Sequence, residues 1–271
     1  MTALVSICIP TFNGARFIGE TIQSVLDQSY HQFELLIFDD GSADNTAEIC
    51  QSFDDPRIQF KQNEKNLGPK ENWDQCLKYA SGQYFKLLPH DDLLEPGTLE
   101  RQVKILSSRP DVALVFGTKS IINETGKILL RRKPLGDEAR SIDGFELVRE
   151  TLKAGNNLIG EPGSGLFRSA LIDIIGAYDD TNPYTIDLDY WFRILAHGNA
   201  YYTAAPASRF RIHGDSWSAE IGKLQYRDFV GTMERFEKDA MYQIDPKTVR
   251  TGKLKAWLST QARRVIFRKY S

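Results

Sequence analysis

The chain contains no long apolar run. No window in its 271 residues approaches the roughly 18 uncharged apolar residues of a helical membrane span. The stretch Ala3 to Ile9 lacks a basic flank and ends at Pro10, so no secretory leader is expected and a cytoplasmic location is. Cysteine is scarce: Cys8, Cys50 and Cys76 are odd in number and without metal-like or redox-motif spacing. That argues against a disulfide framework and for small buried apolar side chains in a reducing compartment. His31, His90, His197 and His213 share no ligand spacing, which speaks against a zinc site. Internal repeats and low-complexity stretches are missing. So is a Gly-rich phosphate loop with basic residues near its start, and this counts against a nucleotidyltransferase.

What is present is ordinary globular composition, 41% hydrophobic and 26% charged, enough for one sizeable core or for one domain with an appendage. The net charge of -2 hides an asymmetry. Lys247, Arg250, Lys253, Lys255, Arg263, Arg264, Arg268 and Lys269 crowd the end of the chain with no acid among them, and the remainder is acidic. Nucleic-acid binding is not expected, because the body is acidic and the basic tail lacks aromatics interleaved on a sheet platform.

Short apolar or alternating runs bounded by turn residues predict strands at Val5 to Ile9, Phe33 to Phe38, Ile58 to Lys61, Tyr84 to Leu88 and Val112 to Phe116. Helical patterns lie between them. Phe17, Ile18, Ile22, Val25 and Leu26 recur at helical spacing, and further helices are predicted over Asp44 to Phe53, Asn72 to Ala80 and Gly97 to Leu106, with Pro96 in the first turn of the last. This alternation predicts an α/β protein with a mostly parallel sheet covered on both faces. Beyond residue 117 the expectations are a hairpin over Lys119 to Leu130, a helix over Ile142 to Lys153 and a Gly/Asn-rich loop from Gly155 to Gly165. A short strand at Leu166 to Arg168, helices near Ala170 to Ile175 and Leu188 to His197, and strands near Ala200 to Ala204 and Arg209 to Ile212 follow, with helices from Ala219 onward.

Ligands of open α/β sheets gather outside the carboxyl ends of the strands. Three predicted strands run into polar clusters there: Pro10-Thr11-Phe12-Asn13-Gly14, Asp39-Asp40-Gly41-Ser42 and His90-Asp91-Asp92. Each alone is compatible with a turn before a capped helix. Alternation, however, places all three on one rim. The adjacent carboxylates of Asp91 and Asp92 repel unless solvent or a cation separates them, and a hard divalent cation takes one or two such carboxylates plus substrate phosphates. A solvated acidic turn before Glu95 and Pro96 is the plainer alternative.

Several segments together resemble glycosyltransferase family 2, the inverting enzymes with the GT-A fold, over roughly Val5 to Ser218. They are "VSICIPTFNGARFIGETIQSVLDQSYHQFELLIFDDGSADNT", "NLG" at Asn66 to Gly68, "SGQYFKLLPHDDLLEPGTLE", "GSGLFRSALIDIIGAYDD", "IDLDYWFRILAHG" and "FRIHGDSWS". The resemblance implies a catalytic domain over 1–218, with a nucleotide-binding half at 1–117 and an acceptor half at 118–218, followed by a helical extension over 219–271. It implies that Pro10, Phe12 and Asp40 hold the base and ribose, with Thr11, Asn13 and Asp39 in the same nucleotide-binding set. Asp91 would face the ribose or a metal-bound water, Asp92 would bind an Mn²⁺ or Mg²⁺ bridging the diphosphate, and His213 would close over that metal or diphosphate. The first acid of the family's D-x-D is replaced by His90. The family's Glu-Asp pair falls on Ile186-Asp187, so Asp187 matches the catalytic base although the Glu is missing, and Asp189 ranks second. Lys65 and Lys70 are candidates for added positive charge near the diphosphate. The donor implied is a nucleotide-sugar, UDP favoured over dTDP or GDP, and the acceptor a hydroxyl of a glycan or lipid-linked saccharide. A non-catalytic nucleotide-sugar-binding module and a nucleotidyltransferase are the competing readings.

For the tail two readings stay open. Leu254, Trp257, Leu258 and Val265 fall on one helical face with Arg250, Lys253, Arg264 and Arg268 around it. Such a helix suits an anionic membrane surface, and it equally suits packing of an apolar stripe on the catalytic domain.

Overall fold

The computed structural model describes residues 3–214 and 216–270, with side chains up to residue 261. The first half alternates strand and helix: β1 (Val5–Thr11), α1 (Ile18–Leu26), β2 (Phe33–Asp39), α2 (Thr46–Gln51), β3 (Ile58–Gln62), α3 (Pro69–Tyr79), β4 (Tyr84–Leu87), β5 (Leu93–Leu94) and α4 (Thr98–Ser108). The second half adds β6 (Val112–Ile122), β7 (Ile128–Arg132), β8 (Arg140–Ile142), α5 (Gly144–Ala154), β9 (Gly165–Arg168), α6 (Ile172–Ile175), α7 (Ile186–Leu195) and β10 (Asn199–Arg211). It closes with α8 (Trp217–Glu220), α9 (Gln225–Lys238) and α10 (Pro246–Tyr270).

One sheet, ordered β3-β2-β1-β4-β9-β6-β10-β5, carries the molecule, with β7 on β6 and β8 on β10. Strands β3, β2, β1 and β4 are parallel neighbours, and β6 pairs in parallel with β10. Strand β9 runs against both β4 and β6. Every residue of β1 is buried, as a strand covered by helices on both faces requires. Its alternate side chains serve different cores: Ile7 and Ile9 join Ile18, Ile22 and Val25 of α1, while Cys8 joins Trp73, Cys76 and Leu77 of α3. All three cysteines are free and buried.

The structure extends most of the expected elements and merges some. The strand expected to end at Phe116 continues to Ile122 as β6 and forms the first arm of the hairpin with β7. It passes through Gly117, where an added Cβ would lie 2.5 Å from the Ala205 carbonyl oxygen. The two strands expected over Ala200 to Ile212 are one, β10, with register shifts around Pro206 and a positive φ of 54° at Ala204. A bulge absorbs the residues that break the alternation. Gly97 caps α4 with a left-handed backbone, so Pro96 precedes the helix rather than opening it. Strands β5 and β8 escape sequence reading because elements of two and three residues carry no periodicity.

The C-terminal helices share the core of the acceptor half. Phe229, Met233 and Phe236 of α9 and Val249 and Ala256 of α10 are buried with Leu147, Val148 and Leu152 of α5 and Phe192 of α7. In α10 the packed residues are Val249, Gly252, Ala256 and Thr260, whereas Leu254 (61%), Trp257 (48%) and Leu258 (53%) are exposed. The expected stripe of Leu254, Trp257 and Leu258 therefore faces outward. The side chains of Arg263, Arg264, Val265, Arg268 and Lys269 lie outside the described residues.

Candidate active site

Because β1, β2 and β4 are parallel, the three polar clusters emerge on one rim. Asn13, held at a positive φ of 48°, joins the first two. Its backbone N–H donates to Ser42 Oγ at 2.8 Å, and its Oδ1 accepts from the Ala43 N–H at 3.0 Å. Asp40 accepts from the Leu67 and Gly68 N–H groups at 2.9 Å and from Asn63 Nδ2 at 2.8 Å, which ties the Asn66 to Gly68 segment to the rim. Asp39 is fully buried and is consumed by Ser42 and Gln62 Nε2. It closes the turn and does not line the cleft.

At the third cluster Asp91 Oδ2 meets His213 Nε2 at 2.9 Å. Burial pushes the Asp91 carboxyl up, but the His213 hydrogen bond and the neighbouring His90 and His213 rings outweigh it and hold the pKa below its ordinary value. Asp92 goes the other way. Burial first, and the Asp91 charge second, drive its pKa well up against the backbone hydrogen bond from the Arg211 N–H to Oδ1 at 3.0 Å and the charge of Lys119. Asp92 Oδ2 and His213 Nδ1 are buried without a hydrogen-bond partner among the described residues. Arg211, also fully buried, fastens this corner. Its guanidinium donates to the Asp91 and Glu124 carbonyls and to Glu20, and lies 4.5 Å over the Phe17 ring.

Asp187 opens α7. Its Oδ1 accepts the Leu188 N–H at 2.7 Å and its Oδ2 accepts Asn157 Nδ2 at 3.2 Å. Desolvation, then the Glu161 charge, push its pKa up to about 7, where a carboxylate can exchange protons near neutral pH. Asp189 does not reach the cleft. It is pinned by Arg193 Nε and Arg235 Nη1, both at 2.8 Å, with burial the leading influence on its raised pKa. Lys70 turns along α3 to Asp74 at 2.9 Å, Lys65 is exposed, and neither borders the cleft.

The remaining expected residues meet in one cavity of about 990 Å³, bordered by Phe12, Asp40, Asp91, Asp92, Asp187 and His213 together with Pro10, Thr11 and Asn13. Phe12 is 44% exposed, an aromatic face left open for stacking. Among the described residues no three His, Cys, Asp or Glu side chains form a ready-made metal cage. The unpartnered oxygen of Asp92 beside Asp91 and His213 nevertheless suits a hard cation that takes most of its shell from phosphate and water.

Three features of this wall were missed by sequence reading. Lys119 and Glu161 form an ion pair on the cleft, Asn157 holds Asp187, and Trp217 stands edge-on to Trp73 at 6.0 Å beside the cavity. Trp217 lay in the segment resembling a closing lid and Glu161 and Asn157 in the Gly/Asn-rich loop, so position was signalled but role was not. Lys119 had no sequence signal.

An α/β sheet with a large cleft over its strand ends, walled by carboxylates from separate segments, has the build of a ligand-binding α/β domain. Residues 6–175 match the model of Glycosyl transferase family 2, and the chain belongs to that family; it is a glycosyltransferase. An uncharacterized glycosyltransferase of Rickettsia typhi is 30% identical over 90% of this chain and 76% of its own length. A UDP-Glc:alpha-D-GlcNAc-diphosphoundecaprenol beta-1,3-glucosyltransferase of Escherichia coli, WfgD, is 36% identical over 48% of this chain and 52% of its own. Among solved structures, S. aureus TarS 1-349 in complex with UDP-GlcNAc is similar in fold, with a TM-score of 0.66, 16% identity and coverage of 84% of this chain and 66% of that one.

Proposed function

We propose that this enzyme transfers the sugar of a nucleotide-sugar, a UDP-sugar by preference, with inversion onto a hydroxyl of a glycan or lipid-linked acceptor. One observation carries the reading: Asp40, Asp91, Asp92, Asp187 and His213, from distant parts of the chain, border a single cavity. Pro10, Thr11, Phe12, Asn13 and Asp40 receive the nucleoside. Asp92, with Asp91 and His213, holds Mn²⁺ or Mg²⁺, which when bound neutralises charge gathering on the departing diphosphate. Asp187 takes the proton of the acceptor hydroxyl while that oxygen bonds to the anomeric carbon and the bond to the diphosphate breaks. Such proton transfer contributes about 10²- to 10⁴-fold. Residues 1–218 form the catalytic domain in this reading, and 219–271 a helical extension that completes the acceptor end of the cleft through Ala256, Ser259 and Thr260. The same extension turns Leu254, Trp257 and Leu258 outward among exposed Lys247, Arg250 and Lys255, which favours a seat on an anionic membrane surface.

The test is a thermal-shift screen of UDP, dTDP and GDP with and without Mn²⁺, since a ligand bound only by the folded state raises its stability. It is paired with product analysis. UDP is expected to stabilise most and Mn²⁺ to strengthen the effect, with release of nucleoside diphosphate from a UDP-sugar. Asp187→Asn is expected to lower transfer by about 10²- to 10⁴-fold while leaving UDP stabilisation in place. Release of pyrophosphate from a triphosphate would establish a nucleotidyltransferase instead, and full activity in Asp187→Asn would remove the proposed base.

A further inference from the structure

The cleft contains a charged pair that the roles above leave unused. Lys119 Nζ, on β6, meets a carboxylate oxygen of Glu161, in the loop between α5 and β9. Both side chains border the cavity and are largely buried, with side-chain exposures of 11% and 26%. A pair so placed is a weak means of stabilising a fold, because desolvating two charges offsets their attraction. The surroundings are also built to hold the Glu161 loop still. Asn157 Oδ1 accepts the Ile159 and Gly160 N–H groups at 3.0 and 2.9 Å, Trp191 Nε1 donates to the Gly160 carbonyl at 3.1 Å, and Gln102 Nε2 donates to that of Ser164 at 2.8 Å. From below, Lys86 Nζ donates to the Gly163 and Gly165 carbonyls at 3.0 and 2.5 Å.

The position of the pair is informative. Glu161 follows Asn157, whose Nδ2 donates to Asp187 Oδ2 at 3.2 Å, and Lys119 lies on β6, whose Ile122 pairs with Arg211, the residue whose N–H donates to Asp92 Oδ1 at 3.0 Å. The pair is thus tied to the segments that hold both carboxylates and lines the same cavity as they do. In a displacement at the anomeric carbon, the diphosphate lies toward Asp92 and the attacked hydroxyl toward Asp187. Between them sits the ring being transferred. A carboxylate accepts from sugar hydroxyls and an ammonium donates to their oxygens, and two groups fixed against each other favour one arrangement of hydroxyls over its epimers. We propose that the Lys119–Glu161 pair binds hydroxyls of the transferred sugar and selects which nucleotide-sugar the enzyme accepts. The inference rests on the glycosyltransferase reading of the cleft with UDP as its nucleotide.

The experiment measures the affinities of UDP, UDP-glucose, UDP-galactose and UDP-GlcNAc by calorimetry with Mn²⁺ present, for the wild type, Glu161→Gln and Lys119→Met. The wild type is expected to rank the three sugars. Each variant is expected to bind UDP as the wild type does, which also shows that it is folded, and to lose about 10- to 100-fold of the preference, the worth of a charged hydrogen bond. Variants that keep both UDP affinity and the sugar ranking overturn the inference and leave the donor site intact. A wild type that binds neither UDP nor any UDP-sugar overturns the donor-site reading, and the inference with it.

Discussion

At the scale of single residues, the cleft is organised by which charges are satisfied and which are not. Asp39, Asp189 and Lys70 are tied into internal bonds, whereas Asp92 Oδ2 and His213 Nδ1 are left without partners. The chemistry of Asp187 depends on its surroundings. With its pKa pushed up to about 7, its basic form prevails above neutrality, so the rate of transfer is expected to climb through pH 7 and then level off. Glu161 contributes to that rise, so Glu161→Gln is expected to shift the midpoint to lower pH. A pH profile of single-turnover transfer checks both statements, and a midpoint near pH 4 in the wild type would refute the first. The sign for stability is opposite. A carboxyl that keeps its proton to higher pH when folded than when unfolded stabilises least once both forms are ionised, so its contribution falls between about pH 4 and pH 7.

At the scale of elements, glycine contacts decide how the C-terminal helix meets the body. Gly252 of α10 sits so close to α5 that an added Cβ would strike the Leu152 carbonyl oxygen and lie 2.7 Å from Met233 Cε. At the end of α5, Gly155 has a φ of 64°, and a Cβ there would meet the Gly252 carbonyl oxygen at 2.6 Å. Backbone cannot give way as a flexible side chain does, so Gly252→Ala is expected to destabilise by about 1–3 kcal/mol, read by chemical denaturation. Because Ala256, Ser259 and Thr260 border the cavity, the same substitution is expected to weaken transfer to an acceptor more than UDP binding. An unchanged denaturation midpoint would contradict this account of the crossing.

At the scale of the whole molecule, one helix, α10, both borders the cleft and carries an exposed apolar face. Ala256 and Thr260 look inward while Leu254, Trp257 and Leu258 look outward. Among the described residues no helix is long and apolar enough to cross a membrane. Apolar burial and lysine attraction together support binding at a membrane surface. Vesicles containing phosphatidylglycerol are expected to float with the wild type and to lose about tenfold or more of that binding for the triple variant Leu254→Ser, Trp257→Ser, Leu258→Ser, given about 0.8 kcal/mol per buried CH₂. Equal, negligible flotation of both would retire the membrane seat.

Much of this molecule is legible in its amino-acid sequence. Alternation of apolar runs with helical periodicity pointed to an α/β protein with a mostly parallel sheet, because period and length are local properties of the chain, and the parallel neighbours β3, β2, β1 and β4 bear it out. The polar clusters after β1, β2 and β4 were placed on one rim for the same reason. Boundaries were less readable: β6 and β10 continue through residues that break the pattern, held by pairing with each other across 86 to 89 residues of chain. Which rim acids face the cleft was not legible at all. Asp39 and Asp40 are adjacent in sequence, yet one is sealed beneath Ser42 and Gln62 and the other borders the cavity; Asp187 and Asp189 divide likewise, through Arg193 and Arg235. Residue order determines which way a strand or helix runs. Only the tertiary structure decides which partners reach a given carboxylate, because those partners arrive from elements far away in the chain.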